Sequence, residues 1–140
     1  MRQAGILAAA GLIALREGPT GMIERLAEDH QNARRLAEGL ADQSGIVSAG
    51  GTAQPEAGRL DPRRVRTNFV VFRVERDRRA FLDALRARGV LMVEYPHGQV
   101  RAVTHHGVTA ADIETVIAAT RDALDETATA LAIEPVSAVR

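Results

Sequence analysis

The chain has 140 residues and its 18 basic and 18 acidic side chains cancel, which excludes a nucleic-acid binder that relies on an overall positive charge. Hydrophobic residues make up 46% and charged residues 26%, an ordinary balance for one globular domain of a length that can bury a core unaided. Cysteine is absent, so disulfides, thiolate zinc sites and thiol nucleophiles are excluded.

In chain order, residues 3–16 read as an Ala-rich helix, with Ile6, Ala10, Ile13 and Ala14 near helical spacing. Gly18-Pro19-Thr20-Gly21 breaks it. Residues 22–42 carry the clearest amphipathic pattern, with Met22, Leu26, Ala33, Leu36, Ala37 and Leu40 on one stripe. Ile46, Val47 and Ser48 suggest a short strand, and the Gly/Pro/Ala/Arg-rich residues 49–63 a loop. Residues 64–75 are the best strand. Val65, Thr67, Phe69, Val71 and Arg73 point one way, and Asn68, Val70, Phe72 and Val74 the other. Apolar character on both faces makes it a central strand. Asp77 caps a helix whose inner residues are Ala80, Phe81, Ala84 and Leu85, and Gly89 stops it. Residues 90–93 and 99–104 read as two further strands joined through Tyr95-Pro96-His97-Gly98. Thr109 caps a last helix with Ile113, Val116, Ile117, Thr120 and Leu124 inside, and Pro135 ends it. The order predicts an α+β domain, with an antiparallel or mixed sheet of about three to four strands covered on one face by helices.

Among motifs, neither common Gly-rich phosphate loop occurs, and no Ser sits in a nucleophile elbow. Adjacent His105 and His106 would point to opposite faces of a strand, so no metal site is expected. Asp112 and Glu114 suit the start of a helix dipole. The basic stretch Arg59, Arg63, Arg64 and Arg66 reads as solvated surface. No apolar run reaches membrane-spanning length, so neither membrane nor nucleic-acid partners are expected, and the location expected is cytoplasmic. All 18 basic side chains are arginine. Without lysine, no side-chain amine can form a Schiff base.

Four segments carry a family resemblance. Met1-Arg2-Gln3-Ala4-Gly5 resembles the M-R-Q-A-G helix start of low-specificity threonine aldolases. The helix from Met22 to Leu40 is similar to theirs. Val65-Arg66-Thr67-Asn68-Phe69-Val70-Val71-Phe72 resembles their V-x-T-N-x-V-x-F strand, and Arg101-Ala102-Val103-Thr104-His105 their R-x-V-T-H strand. Order and spacing match the C-terminal third of that family over about residues 1–125.

The resemblance implies the small C-terminal domain of a fold-type-I enzyme of the aspartate-aminotransferase group. Such an enzyme is a pyridoxal-phosphate-dependent lyase that cleaves threonine or allo-threonine to glycine and acetaldehyde, as a homodimer or a tetramer built from dimers. It further implies that Arg101 binds the substrate carboxylate and Arg2 the cofactor phosphate. Thr104, His105 and Asn68 are then structural neighbours. The expected organisation is a junction helix at 1–17, the small domain at 18–133 and a loose tail at 134–140. The family's cofactor lysine lies upstream of the M-R-Q segment. No covalently bound pyridoxal phosphate and no catalytic residue are therefore expected in this chain. A truncated aldolase, half of a split enzyme with an N-terminal partner chain, and a self-associating non-catalytic interaction module all remain open.

Overall fold

The computed structural model describes residues 3–16, 18–50 and 58–133. The two-residue alternation around Phe72 and Val100 builds the middle of a sheet. Four strands form it: β1 (Ile46–Ser48), β2 (Phe69–Val74), β3 (Val93–Tyr95) and β4 (Gln99–Val103). Their order is β1-β2-β4-β3, and every neighbouring pair is antiparallel. Val71 lies opposite Arg101, which in turn lies opposite Val93. β2 is interior, as its apolar faces require. The β3–β4 hairpin turns through His97 and Gly98, both at positive φ (62° and 77°).

Helices α1 (Ala4–Arg16), α2 (Glu24–Ala41), α3 (Arg78–Ala87) and α4 (Ala110–Ile133) complete the fold. The last three form a layer on one face of the sheet, and the α+β class expected from the sequence is the one observed. Val70 and Phe72 of β2 and Val100 and Ala102 of β4 meet Leu36 and Leu40 of α2, Phe81 and Leu85 of α3, and Ile113 and Leu124 of α4. The Phe72 and Phe81 rings stand edge to face with centroids 6.4 Å apart, a favoured aromatic geometry.

Local chemistry sets the element ends. Asp77 accepts hydrogen bonds from the backbone N–H groups of Arg79 and Ala80 and starts α3. At its other end, Gly89 N–H donates to Arg86 O and Val90 N–H to Leu85 O, both at 3.0 Å, with Gly89 at φ 77°. That double bond pattern is a Schellman closure. At α4, Thr109 Oγ1 accepts from Asp112 N–H while Asp112 Oδ2 accepts from Thr109 N–H and Oγ1, a reciprocal cap in which Asp takes the usual Glu position.

Several expectations need correcting. The strand expected at 64–75 starts at Phe69, because Pro62–Arg64 winds into a 3-10 turn capped by Asp61. The strand expected at 90–93 is Val93–Tyr95, because Val90 is consumed by the α3 closure and buried in the core. Leu26 belongs to the expected stripe of α2 yet is 46% exposed, and buried Asp29 and Asn32 extend that face instead. Ala80 is also exposed. The break at Gly18 is a bend at φ 62° followed by a π-helical turn, Pro19–Ile23, that runs directly into α2. Among the described residues, α1 buries none of its side chains, and no single helix is long and apolar enough to cross a membrane.

Candidate functional site

Strand alternation decides which side chains face the helices and which face away. Along β4, Val100 and Ala102 enter the core, so Gln99, Arg101 and Val103 occupy the opposite face, away from α2, α3 and α4. The same rule places Phe69, Val71 and Arg73 of β2 there, with Val93 and Tyr95 of β3. Arg101 stands near the centre of this open face. Its guanidinium carbon lies 5.6 Å from the Phe69 ring centroid and 5.3 Å from that of Tyr95. Both rings are within cation–π range.

Arg101 is half-buried, and its Nε is shielded from solvent with no hydrogen-bond partner. Among the described residues, no carboxylate pairs with it. Six other arginines do have such a partner: Arg34, Arg35, Arg59, Arg63, Arg78 and Arg88. A planar fork held between two rings, on a strand in the middle of a sheet, suits bidentate capture of a carboxylate.

The backbone beneath Arg101 is tied down just beyond its strand. Asn68 Nδ2 donates to Thr104 O at 2.7 Å, and Thr104 N–H donates back to Asn68 O at 3.0 Å. The buried Thr104 hydroxyl donates to Asp29 O in α2 at 2.6 Å, and Asn32 Nδ2 donates to Val108 O at 3.0 Å. These bonds join β2, β4 and α2 around the Arg101 strand. Asn68 and Thr104 thus hold neighbouring segments together by hydrogen bonds.

The remaining candidates separate from this face. Arg2 lies outside the described residues. His105 and His106 follow β4 in an exposed turn rather than on a strand, with His105 Nδ1 2.8 Å from His106 O. Among the described residues, no group of three or more His, Cys, Asp or Glu could hold a metal ion. In the basic stretch, Arg59 pairs with Asp42 and Arg63 with Asp61. The Arg63 side chain, then its backbone N–H, holds the Asp61 carboxyl below the usual carboxylate range.

A cavity of about 430 Å³ lies where the end of β4, the segment after α3 and the start of α4 meet. The carboxylate on its wall is Asp112, which the Thr109 backbone N–H and then its hydroxyl hold below the ordinary value. That carboxylate is occupied as a helix cap. Sequence alone assigns no role to the two rings flanking Arg101. The available signal was the strand register, since Phe69 and Tyr95 fall on the Arg101 face only once β2, β4 and β3 are paired.

Comparison with known proteins adds an independent observation. The family model described as "Beta-eliminating lyase" matches residues 1–77. The chain is 30% identical over 128 residues to Low-specificity L-threonine aldolase 1 of Arabidopsis thaliana, an alignment covering 89% of this chain and 31% of that protein. It is 39% identical over 119 residues to the Low specificity L-threonine aldolase of Escherichia coli (strain K12), covering 84% of this chain and 29% of that one. The chain therefore spans about three tenths of the length of these curated relatives.

Proposed function

The chain belongs to the beta-eliminating lyase family, and from that premise we propose that it is a carboxylate-binding portion of a threonine-aldolase-type lyase, with Arg101 as the anchor for the amino-acid substrate. The observation that carries the reading is the Arg101 guanidinium itself: unpaired among the described residues, seated between Phe69 and Tyr95, and mounted on a hydrogen-bonded central strand. The substrate class is a β-hydroxy-α-amino acid such as threonine or allo-threonine, and the products are glycine and an aldehyde.

Arg101 grips the α-carboxylate through two parallel N–H donors. The rings of Phe69 and Tyr95 restrict its rotation and shield it from water, which strengthens the charge-assisted bonds. The substrate thereby acquires a fixed orientation relative to groups supplied from outside the described residues.

Pyridoxal phosphate would supply the electron-withdrawing chemistry in such a lyase. Nothing in the described residues fits its covalent attachment: the chain has no lysine, and Arg2, the candidate for its phosphate, lies outside them. No step is therefore derived through the cofactor. On this reading, the 140-residue chain alone does not turn over threonine, and the lysine comes from elsewhere, either a longer parent protein or a separate N-terminal partner chain. The open sheet face and the exposed apolar side of α1 favour such a companion.

The test is to assay the purified chain with threonine and pyridoxal phosphate, alone and with a lysine-bearing N-terminal segment of an aldolase relative. Activity is expected only in the mixture. There, Arg101→Gln should lower kcat/KM by about 10–100-fold, the equivalent of a lost charge-assisted hydrogen bond. Turnover by the chain alone, or borohydride trapping of the cofactor on one of its internal residues, would overturn the reading.

A further inference from the structure

Resting on the assignment of Arg101 as a carboxylate anchor, we propose that Arg73 is a second anion anchor on the same open face and gives the site a preference for ligands with two carboxylates. Val71 is the cross-strand partner of Arg101, and Arg73 lies two residues further along β2. Both arginines therefore project from one face, and Arg73 is the diagonal neighbour of Arg101. Such neighbours in an antiparallel pair are about 7–8 Å apart, a gap that two arginine side chains and a short dianion can bridge.

Half-burial on one shared sheet face separates this pair from fully solvated surface charge. Both residues are half-buried, and each has an Nε that is shielded from solvent and lacks a hydrogen-bond partner. Neither is paired with a carboxylate among the described residues. Like charges on neighbouring strands repel, most strongly when directly opposite, and local costs of this kind concentrate at functional sites. The neighbouring Gln99 is engaged through its Nε2, which donates to Ala49 O at 3.0 Å. A bound α-amino acid with a second carboxylate on its side chain would place one anion on each fork, as would a simple dicarboxylate.

The experiment follows the arginine Nε–Hε resonances of the intact chain by NMR while acetate or succinate is added at fixed ionic strength. Succinate is expected to shift both the Arg73 and Arg101 signals, at about tenfold lower concentration than acetate. Arg73→Gln should bring succinate binding to the acetate level while leaving acetate binding within about twofold. Arg101→Gln should abolish both. An undiminished succinate preference in Arg73→Gln, or an Arg73 signal that stays still in the native chain at saturating succinate, overturns the role of Arg73. Unchanged acetate binding in Arg101→Gln instead overturns the carboxylate reading on which it rests. The native-chain measurement decides the matter even where a variant does not fold.

Discussion

The Thr104 hydroxyl shows how one polar atom can hold a site without touching a ligand. It is buried and donates to Asp29 O, so the end of β4 is fixed against α2. Thr104→Val keeps the shape and removes this one bond, while Asp29 O keeps its acceptor role inside α2; the change should cost about 1 kcal/mol in urea unfolding. The same change should weaken carboxylate binding at Arg101 less than Arg101→Gln does, because the guanidinium itself remains. Gly39 is a second single-residue constraint. A Cβ there would run into the Ile117 side chain across the α2–α4 contact, and Ile117 is stiff because it is β-branched within a helix. Gly39→Ala gains about 1 kcal/mol of helix propensity and loses about 1–3 kcal/mol to overpacking. A net destabilisation is expected, and combining it with Ile117→Ala should remove the clash; a double-mutant cycle measures that coupling.

Elements begin and end here by side-chain chemistry that is sensitive to pH. At α4, the Asp112 carboxyl is held below its ordinary value by the Thr109 backbone N–H and hydroxyl. A lowered folded-state pKa means that this cap stabilises the protein above the unfolded carboxylate pKa of about 3.9. The stabilisation is lost as pH falls through the lower folded value. Asp112→Asn should therefore reduce stability at neutral pH and flatten the acid limb of a melting-temperature profile, both measurable by circular dichroism between neutral and acid pH. At α3, Asp77→Ala removes the acceptor for two N–H groups and should cost about 1 kcal/mol. Asp77, Gly89 and Thr109 were all legible as helix signals in the sequence, because caps are local chemistry. The start of β2 and the position of β3 were not. Val65 and Thr67 continue the alternation on paper, but the Pro62–Arg64 turn withholds them from the ladder. Val90 looks like a strand residue until the closure of α3 claims its N–H.

For the molecule as a whole, the core requires α2, α3, α4 and the sheet, and α1 adds no buried side chain among the described residues. Removing residues 1–16 should therefore change the urea midpoint little, by an amount equivalent to less than about 1 kcal/mol. Phe72→Ala, at the centre where β2 meets α3, should cost about 3–5 kcal/mol. A large loss on truncation would show that α1 is packed more firmly than its exposure indicates. Arg101 was legible as a candidate from the resemblance of its strand, whereas its seat between Phe69 and Tyr95 depends on pairing three strands that are distant in sequence. Arg73 was legible only as a member of one strand face. The alternation that puts Arg101 outside and Val100 and Ala102 inside also makes the hairpin intolerant of insertions. Adding or deleting one residue between Tyr95 and Arg101 while the downstream pairing holds would swap the faces of the preceding segment; a slip of β4 itself would drive a guanidinium under the helices and expel two aliphatic side chains. In a library of this hairpin, single-residue length changes within β4 should be purged more harshly than most substitutions at the same positions.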